Sequence, residues 1–141
     1  MKALGLDLGS VTLGVALSDA LGLMAHGIET FKFTKDHYKD AVTYVVDFVA
    51  REKISKIVLG LPKHMNNDEG ERAKISRRFA AKLELATGIP VILWDERMTT
   101  MQVERVLIEG GVRRENRKKH VDKMAATIIL QSYLDSVGSG V

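Results

Sequence analysis

Four acidic positions in this 141-residue chain stand out by where they fall. Asp7 interrupts the apolar stretch ALGLDLGSVTLGVALSD, Asp95 and Glu96 directly follow the apolar run VILW, and Asp122 lies near the start of the last periodic segment. Charges are seldom buried without a partner, so an acid inside a strand asks for a chemical reason. Taken singly, each has an ordinary one. Asp7 could accept from a backbone donor in a tight hairpin, Asp95 could cap the following turn, and Asp122 could complement the dipole of a first helical turn. Gathered in one low-dielectric place, the same carboxylates repel unless protonated or bridged by cations. The chain has no cysteine, so its metal ligands are oxygen or imidazole, which suits a hard cation such as Mg2+ or Mn2+. Two such ions roughly 4 Å apart are the arrangement that phosphodiester cleavage uses, one activating a water and the other stabilising the departing oxygen.

A phosphate backbone also calls for positive charge. The net charge is only +3, but residues 113–123, RRENRKKHVDK, hold six Lys or Arg against two acids and leave the rest of the chain at −1. Arg113, Arg114, Arg117, Lys118 and Lys119 are therefore candidate phosphate contacts beside Asp122. Lys74, Arg78 and Lys82 recur at four-residue spacing and form one helical stripe, with Arg77 beside it, a pattern that a plain solvent-facing helix also shows. The turn-rich loop LPKHMNNDEG adds Lys63 and Asn66. Aromatic residues make up 6% of the chain, and Phe79, Trp94 and Tyr133 fall on apolar faces, so no base-stacking platform is expected.

These residues must be positioned by elements, and the apolar periodicity supplies them. Runs at 3–8, 12–18 and about 24–33 read as three hairpin-linked strands. Helical spacing follows over 36–52, then a strand at 56–61, a helix at 71–87 stopped by Gly88, and a strand at 91–94. Thr99 or Thr100 can cap a helix running to Gly110 and Gly111, and a last helix covers roughly 118–137. The order βββαβαβαα predicts an α/β fold with a mixed sheet whose first, fourth and fifth strands are parallel. Sites in such sheets form at the carboxyl ends of strands, where Asp95 and Glu96 fall. Successive strand residues face opposite ways, so these two acids are not expected to coordinate together. On the last helix Asp122 aligns with Ala125, Ala126, Ile129 and Tyr133, the face expected to pack inward.

Length and a hydrophobic content of 45% fit one domain over 1–141 with a frayed GSG tail. The start, MKALGLDLG, lacks the pattern of a signal peptide, and no run approaches a membrane span, so a cytoplasmic protein is expected.

Four stretches, GLDLGSVTLGVALSD, VLGLPKHMN, WDERMTT and KKHVDKMAATIIL, together resemble the YqgF/RuvX family. Its members are described as pre-16S ribosomal RNA nucleases and as Holliday-junction-resolvase-like proteins. The resemblance covers essentially the whole chain. It implies a ribonuclease H-like fold, a metal-dependent hydrolase acting on nucleic acid, and a role in maturing the 5′ end of small-subunit ribosomal RNA, with ribosomal particles as partners. It also implies roles for residues. Asp7 matches the acid of the opening motif, Glu96 the acid of the D-E-R motif, and Asp122 the acid of the last helix, making these three the expected catalytic metal ligands. Asp95, the neighbouring acid of the same motif, is the alternative metal ligand to Glu96, and Arg97 is a phosphate contact or an ion-pair partner. Val11 stands where similar proteins tend to carry Lys or Arg, and His64 where Asn is more usual. His120, near Asp122, reads as an exposed side chain.

Other readings use parts of the same pattern. A Holliday junction or other structured DNA could be the substrate, or the chain could be a non-catalytic RNA-binding assembly factor. D-L-G-S with V-A after it also resembles the phosphate loop of actin-like and sugar-kinase nucleotide-binding proteins. Those proteins bind ATP between two such domains, and this chain has length for one.

Overall fold

Alternation and turn chemistry build the sheet. The computed structural model describes residues 2–62, 70–95 and 114–138, with backbone alone for 114–122. Three strands open it: β1 (Lys2–Leu8), β2 (Thr12–Ser18) and β3 (Ala25–Lys32). Helix α1 (Tyr38–Glu52) leads into β4 (Ile54–Leu61), α2 (Glu71–Thr87) into β5 (Val91–Asp95), and the long α3 (Arg114–Gly138) closes the described chain. The strands lie in the order β3-β2-β1-β4-β5. β2 is antiparallel to β1 and β3, whereas β1, β4 and β5 are parallel, as the sequence pattern predicts.

The two faces of this sheet carry different residues. Leu4, Leu6, Leu13, Val15, Ile57 and Leu59 are fully buried on one face, under Ala41, Val45 and Phe48 of α1 and Phe79 and Leu83 of α2. Each such side chain contributes about 1.5–3 kcal/mol by leaving water. The other face is built from small residues, Ala3, Ala16 and Ala25 among them, under Ala126, Ile129 and Leu130 of α3. Small residues let α3 come close. A Cβ built on Gly5 would lie 2.7 Å from Leu130 Cβ and 3.0 Å from the Ala126 carbonyl, so the helix rests directly on the β1 backbone.

Element ends differ from expectation by a few residues, each for a local reason. α1 starts at Tyr38 rather than 36 because Asp36 adopts φ 63, left-handed backbone that no helix continues through. It ends at Lys53, also left-handed at φ 54, which turns the chain at once into β4 and starts that strand at Ile54. Gly88 closes α2 as expected, at φ 72, with its amide donating to the Glu84 carbonyl at 2.8 Å. α3 begins a turn earlier than expected, at Arg114. The helix expected between Thr99 and Gly111 lies outside the described residues.

Candidate active site

Asp7 occupies the second-last position of the central strand and is half-buried. Its neighbours Leu6 and Leu8 belong to the core beneath α1 and α2, so the pleat turns Asp7 to the α3 face. Its cross-strand partner is Gly14, which in turn pairs with Thr30.

Position 122 comes to the same level by a different route. Gln131 bonds Ala25 and the Leu23 carbonyl, while Lys123 and Thr127 lie against Gly27, two residues further along β3. α3 therefore descends toward the carboxyl end of β1 as its numbering falls. Ala126 sits over Gly5. One helical turn back is about 6 Å, and two residues along β1 from Gly5 to Asp7 are about 6.7 Å, so the α3 backbone at 122 draws level with Asp7. Residues 114–119 of the backbone continue past that level. The side chains of Arg114, Arg117, Lys118, Lys119, His120 and Asp122 lie outside the described residues.

β5 brings the third acid region alongside. Ile92 and Trp94 pack with the α3 core, and Trp94 meets Tyr133 edge-on at 5.7 Å while donating to Ser132 at 3.2 Å. Val91 and Leu93 pack on the opposite core. Asp95, paired with Leu61 and exposed, has the parity of Val91 and Leu93, so alternation sets it on the face away from Asp7. Glu96, Arg97, Lys63, His64, Asn66 and Arg113 lie outside the described residues. Among the described residues no three carboxylates or imidazoles gather as a metal cage. Of the three ligands that the resemblance favours, Asp7 is the one whose side chain is described, and it fits a hard cation as an oxygen donor on the central strand, paired with a glycine.

The basic stripe of α2 is elsewhere. Lys74, Arg78 and Lys82 are exposed, as is Arg77, and the buried side of α2 packs on the sheet face opposite Asp7. Arg78 pairs with Glu71 at 3.6 Å, a solvated contact of little energetic weight.

A clamp around the loop after Asp7 was not read from the sequence. Arg72, in the first turn of α2, donates to the Leu8 carbonyl at 3.1 Å and to the Tyr38 hydroxyl at 3.0 Å, and Tyr38 donates to Asp36 at 3.2 Å. Gly9 donates to the Thr12 carbonyl at 2.7 Å, Phe33 to the Val11 carbonyl at 2.9 Å, and Asp36 to the Ser10 carbonyl at 2.9 Å. The backbone from Leu8 to Val11 is thus held from three directions. The only available signal was an arginine one turn into a helix that follows β4, and its partners become visible once the strand order is known.

The family model for "RuvX: Holliday junction resolvase" matches residues 1–136. The chain belongs to the RuvX family. Among its curated relatives, a Bacillus licheniformis protein is 51% identical over 139 residues, covering 99% of this chain and 100% of the relative. A Bacillus subtilis protein is 50% identical over 137 residues, covering 97% of this chain and 99% of the relative. Both are named "Putative pre-16S rRNA nuclease". Among solved structures, Thermus thermophilus RuvC in complex with a Holliday junction substrate aligns with TM-score 0.63 and 17% identity, covering 99% of this chain and 97% of that one. Fowlpox virus resolvase with Holliday junction DNA aligns at 0.57 and 18%, covering 97% and 99%. At such identities the likeness is one of fold, and the RuvX-family chain shares the ribonuclease H-like fold of these resolvases.

Proposed function

We propose that this RuvX-family chain is a single-domain, divalent-metal-dependent nuclease that processes the 5′ end of precursor 16S ribosomal RNA in the cytoplasm. Hydrolysis of phosphodiester bonds follows from family membership and from near full-length relatives named as nucleases. The observation that carries the finer reading is the level at which β1 and α3 meet, with Asp7 half-buried on the central strand and the backbone at 122 drawn up to it.

Asp7, Glu96 and Asp122 are the residues that would hold two Mg2+ or Mn2+ ions. When bound, such ions supply a nucleophilic water and stabilise the departing oxygen. Asp7 contributes a carboxylate on a strand position paired with Gly14 of β2, so little backbone reorganisation is needed on ligation. The parity of Asp95 supports Glu96, the next residue in the sequence, as the ligand. Arg113, Arg114, Arg117, Lys118 and Lys119 would contact flanking phosphates, with Lys63, Asn66 and Arg97 on the β4 and β5 side and Lys74, Arg78 and Lys82 on α2 as outer contacts.

The test is cleavage of a labelled precursor RNA spanning the 16S 5′ end, beside a four-way DNA junction of matched length, in Mg2+ or Mn2+. Cleavage of the RNA in preference to the junction is the expected result. Resolution of the junction with no RNA cleavage would replace the substrate. RNA binding without cleavage of either would favour an assembly factor.

A further inference from the structure

Beyond the segment at 113–119, we infer that Lys32, Lys35 and Lys39 form a second contact for the nucleic-acid phosphate backbone, on the β3 flank of the site. This rests on the nuclease reading. Lys32 ends β3 opposite Thr12, and Thr30, two residues before it, shares the row of Gly14 and Asp7. Paired residues share a face, so Lys32 stands on the Asp7 face of the sheet. Two strand spacings across and two residues along place it about 12 Å from Asp7.

Lys35 and Lys39 follow in the connection to α1 and the first turn of that helix, and all three lysines are exposed. Their segment is held to the site. Phe33 and Asp36 bond the carbonyls of Val11 and Ser10, and the Tyr38 hydroxyl is shared between Arg72 and Asp36. Phe33 and Tyr38 meet edge-on at 5.9 Å beneath this connection. Asp36, which accepts from Tyr38, and Asp40, in the first turn of α1, leave residues 32–40 with a net charge of +1.

Val11 ties this connection to the loop after Asp7. That residue is 44% exposed and carries no charge, yet its carbonyl is the anchor for the connection bearing the lysines. A phosphate backbone crossing the carboxyl end of the sheet from β5 over Asp7 then meets lysine on the far side.

The experiment is fluorescence anisotropy with a labelled single-stranded RNA and a labelled four-way DNA junction, in Ca2+, for the wild type, Lys32→Gln/Lys35→Gln/Lys39→Gln, and Lys53→Gln. Lys53 is exposed at the opposite end of the sheet, where α1 meets β4, and serves as the control for loss of a lysine away from the site. Loss of three contacts reduces the slope of log affinity against log salt by about 2 on single-stranded RNA, so the fall in affinity between about 50 and 200 mM salt becomes roughly 20-fold smaller than in the wild type. The Lys53 variant should match the wild type. An effect on one probe alone supports the contact and assigns it to that nucleic acid. A triple variant with wild-type affinity and slope overturns the inference and leaves the nuclease reading standing. A wild type that binds neither probe overturns both.

Discussion

Replacing Gly5 with alanine adds one methyl group at the closest approach between α3 and β1. Its Cβ would meet Leu130 Cβ at 2.7 Å and the Ala126 carbonyl at 3.0 Å. Ordinary carbon contacts lie at about 3.5–4.0 Å, so α3 must withdraw by roughly 1 Å. One contacting atom is backbone and the other a Cβ, so no side-chain rotation relieves the clash. Overpacking of this kind costs about 1–3 kcal/mol. The functional effect should be larger than the stability effect. α3 carries position 122 and β1 carries Asp7, and a misplacement of about 1 Å between reacting groups can cost on the order of 100-fold in rate. The assay pairs urea denaturation with the initial rate of Mn2+-dependent RNA cleavage at a temperature where the variant is fully folded. A further Leu130→Ala change should not restore the rate, because alanine keeps the offending Cβ. Wild-type stability in Gly5→Ala would refute the close approach. Lost stability with a wild-type rate would refute the claim that the spacing of β1 and α3 at this contact matters to the proposed site.

Other expectations follow from the same geometry. Arg72→Met removes charged hydrogen bonds to the Leu8 carbonyl and Tyr38 hydroxyl and should cost about 1.5–3 kcal/mol in urea denaturation; Arg72→Lys should recover only part, since an ammonium lacks the planar fork that reaches both acceptors. Asp19 is held below the usual carboxylate range chiefly by the Leu23 amide, which donates to it at 2.9 Å. Its stabilisation is complete above the ordinary carboxylate pKa of about 3.9 and is lost as pH falls through the lower folded value, so the stability gap between wild type and Asp19→Asn should narrow from pH 7 to about pH 3. An equal gap at both pH values would contradict this. Because of its strand parity, Asp95→Asn should keep most of the cleavage rate, whereas Glu96→Gln should lose it; the reverse order would exchange their roles.

Much of the sheet was legible because its signals are local. The apolar runs of β1 and β2, the breaker Gly88 and the 3.6-residue spacing of Ala41, Val45 and Phe48 each act within a few residues, and each element stands close to where they put it. Asp7 stands out for the same reason, as a charge within an apolar run, between Leu6 and Leu8. What could not be read depends on contacts between distant segments. Arg72 reaches Leu8 across 64 residues of sequence, and Gly5 matters through Leu130. Lys32, Lys35 and Lys39 are an ordinary solvated run until the strand order brings β3 two places from β1. The start of α1 was misplaced because Asp36 takes a left-handed conformation, with its amide bonded to the carbonyl of Ser10 in the distant β1–β2 loop.

The central claim is that Asp7 holds metal for phosphodiester cleavage. It is tested most directly by titrating Mn2+ against the initial rate of precursor RNA cleavage for wild type and Asp7→Asn, with folding checked by thermal denaturation. Changing groups around a metal ligand costs about 10–100-fold in affinity or activity, so loss of a ligand itself should cost at least about 100-fold and shift the Mn2+ midpoint upward. A folded Asp7→Asn protein with the wild-type rate and Mn2+ midpoint would contradict the account.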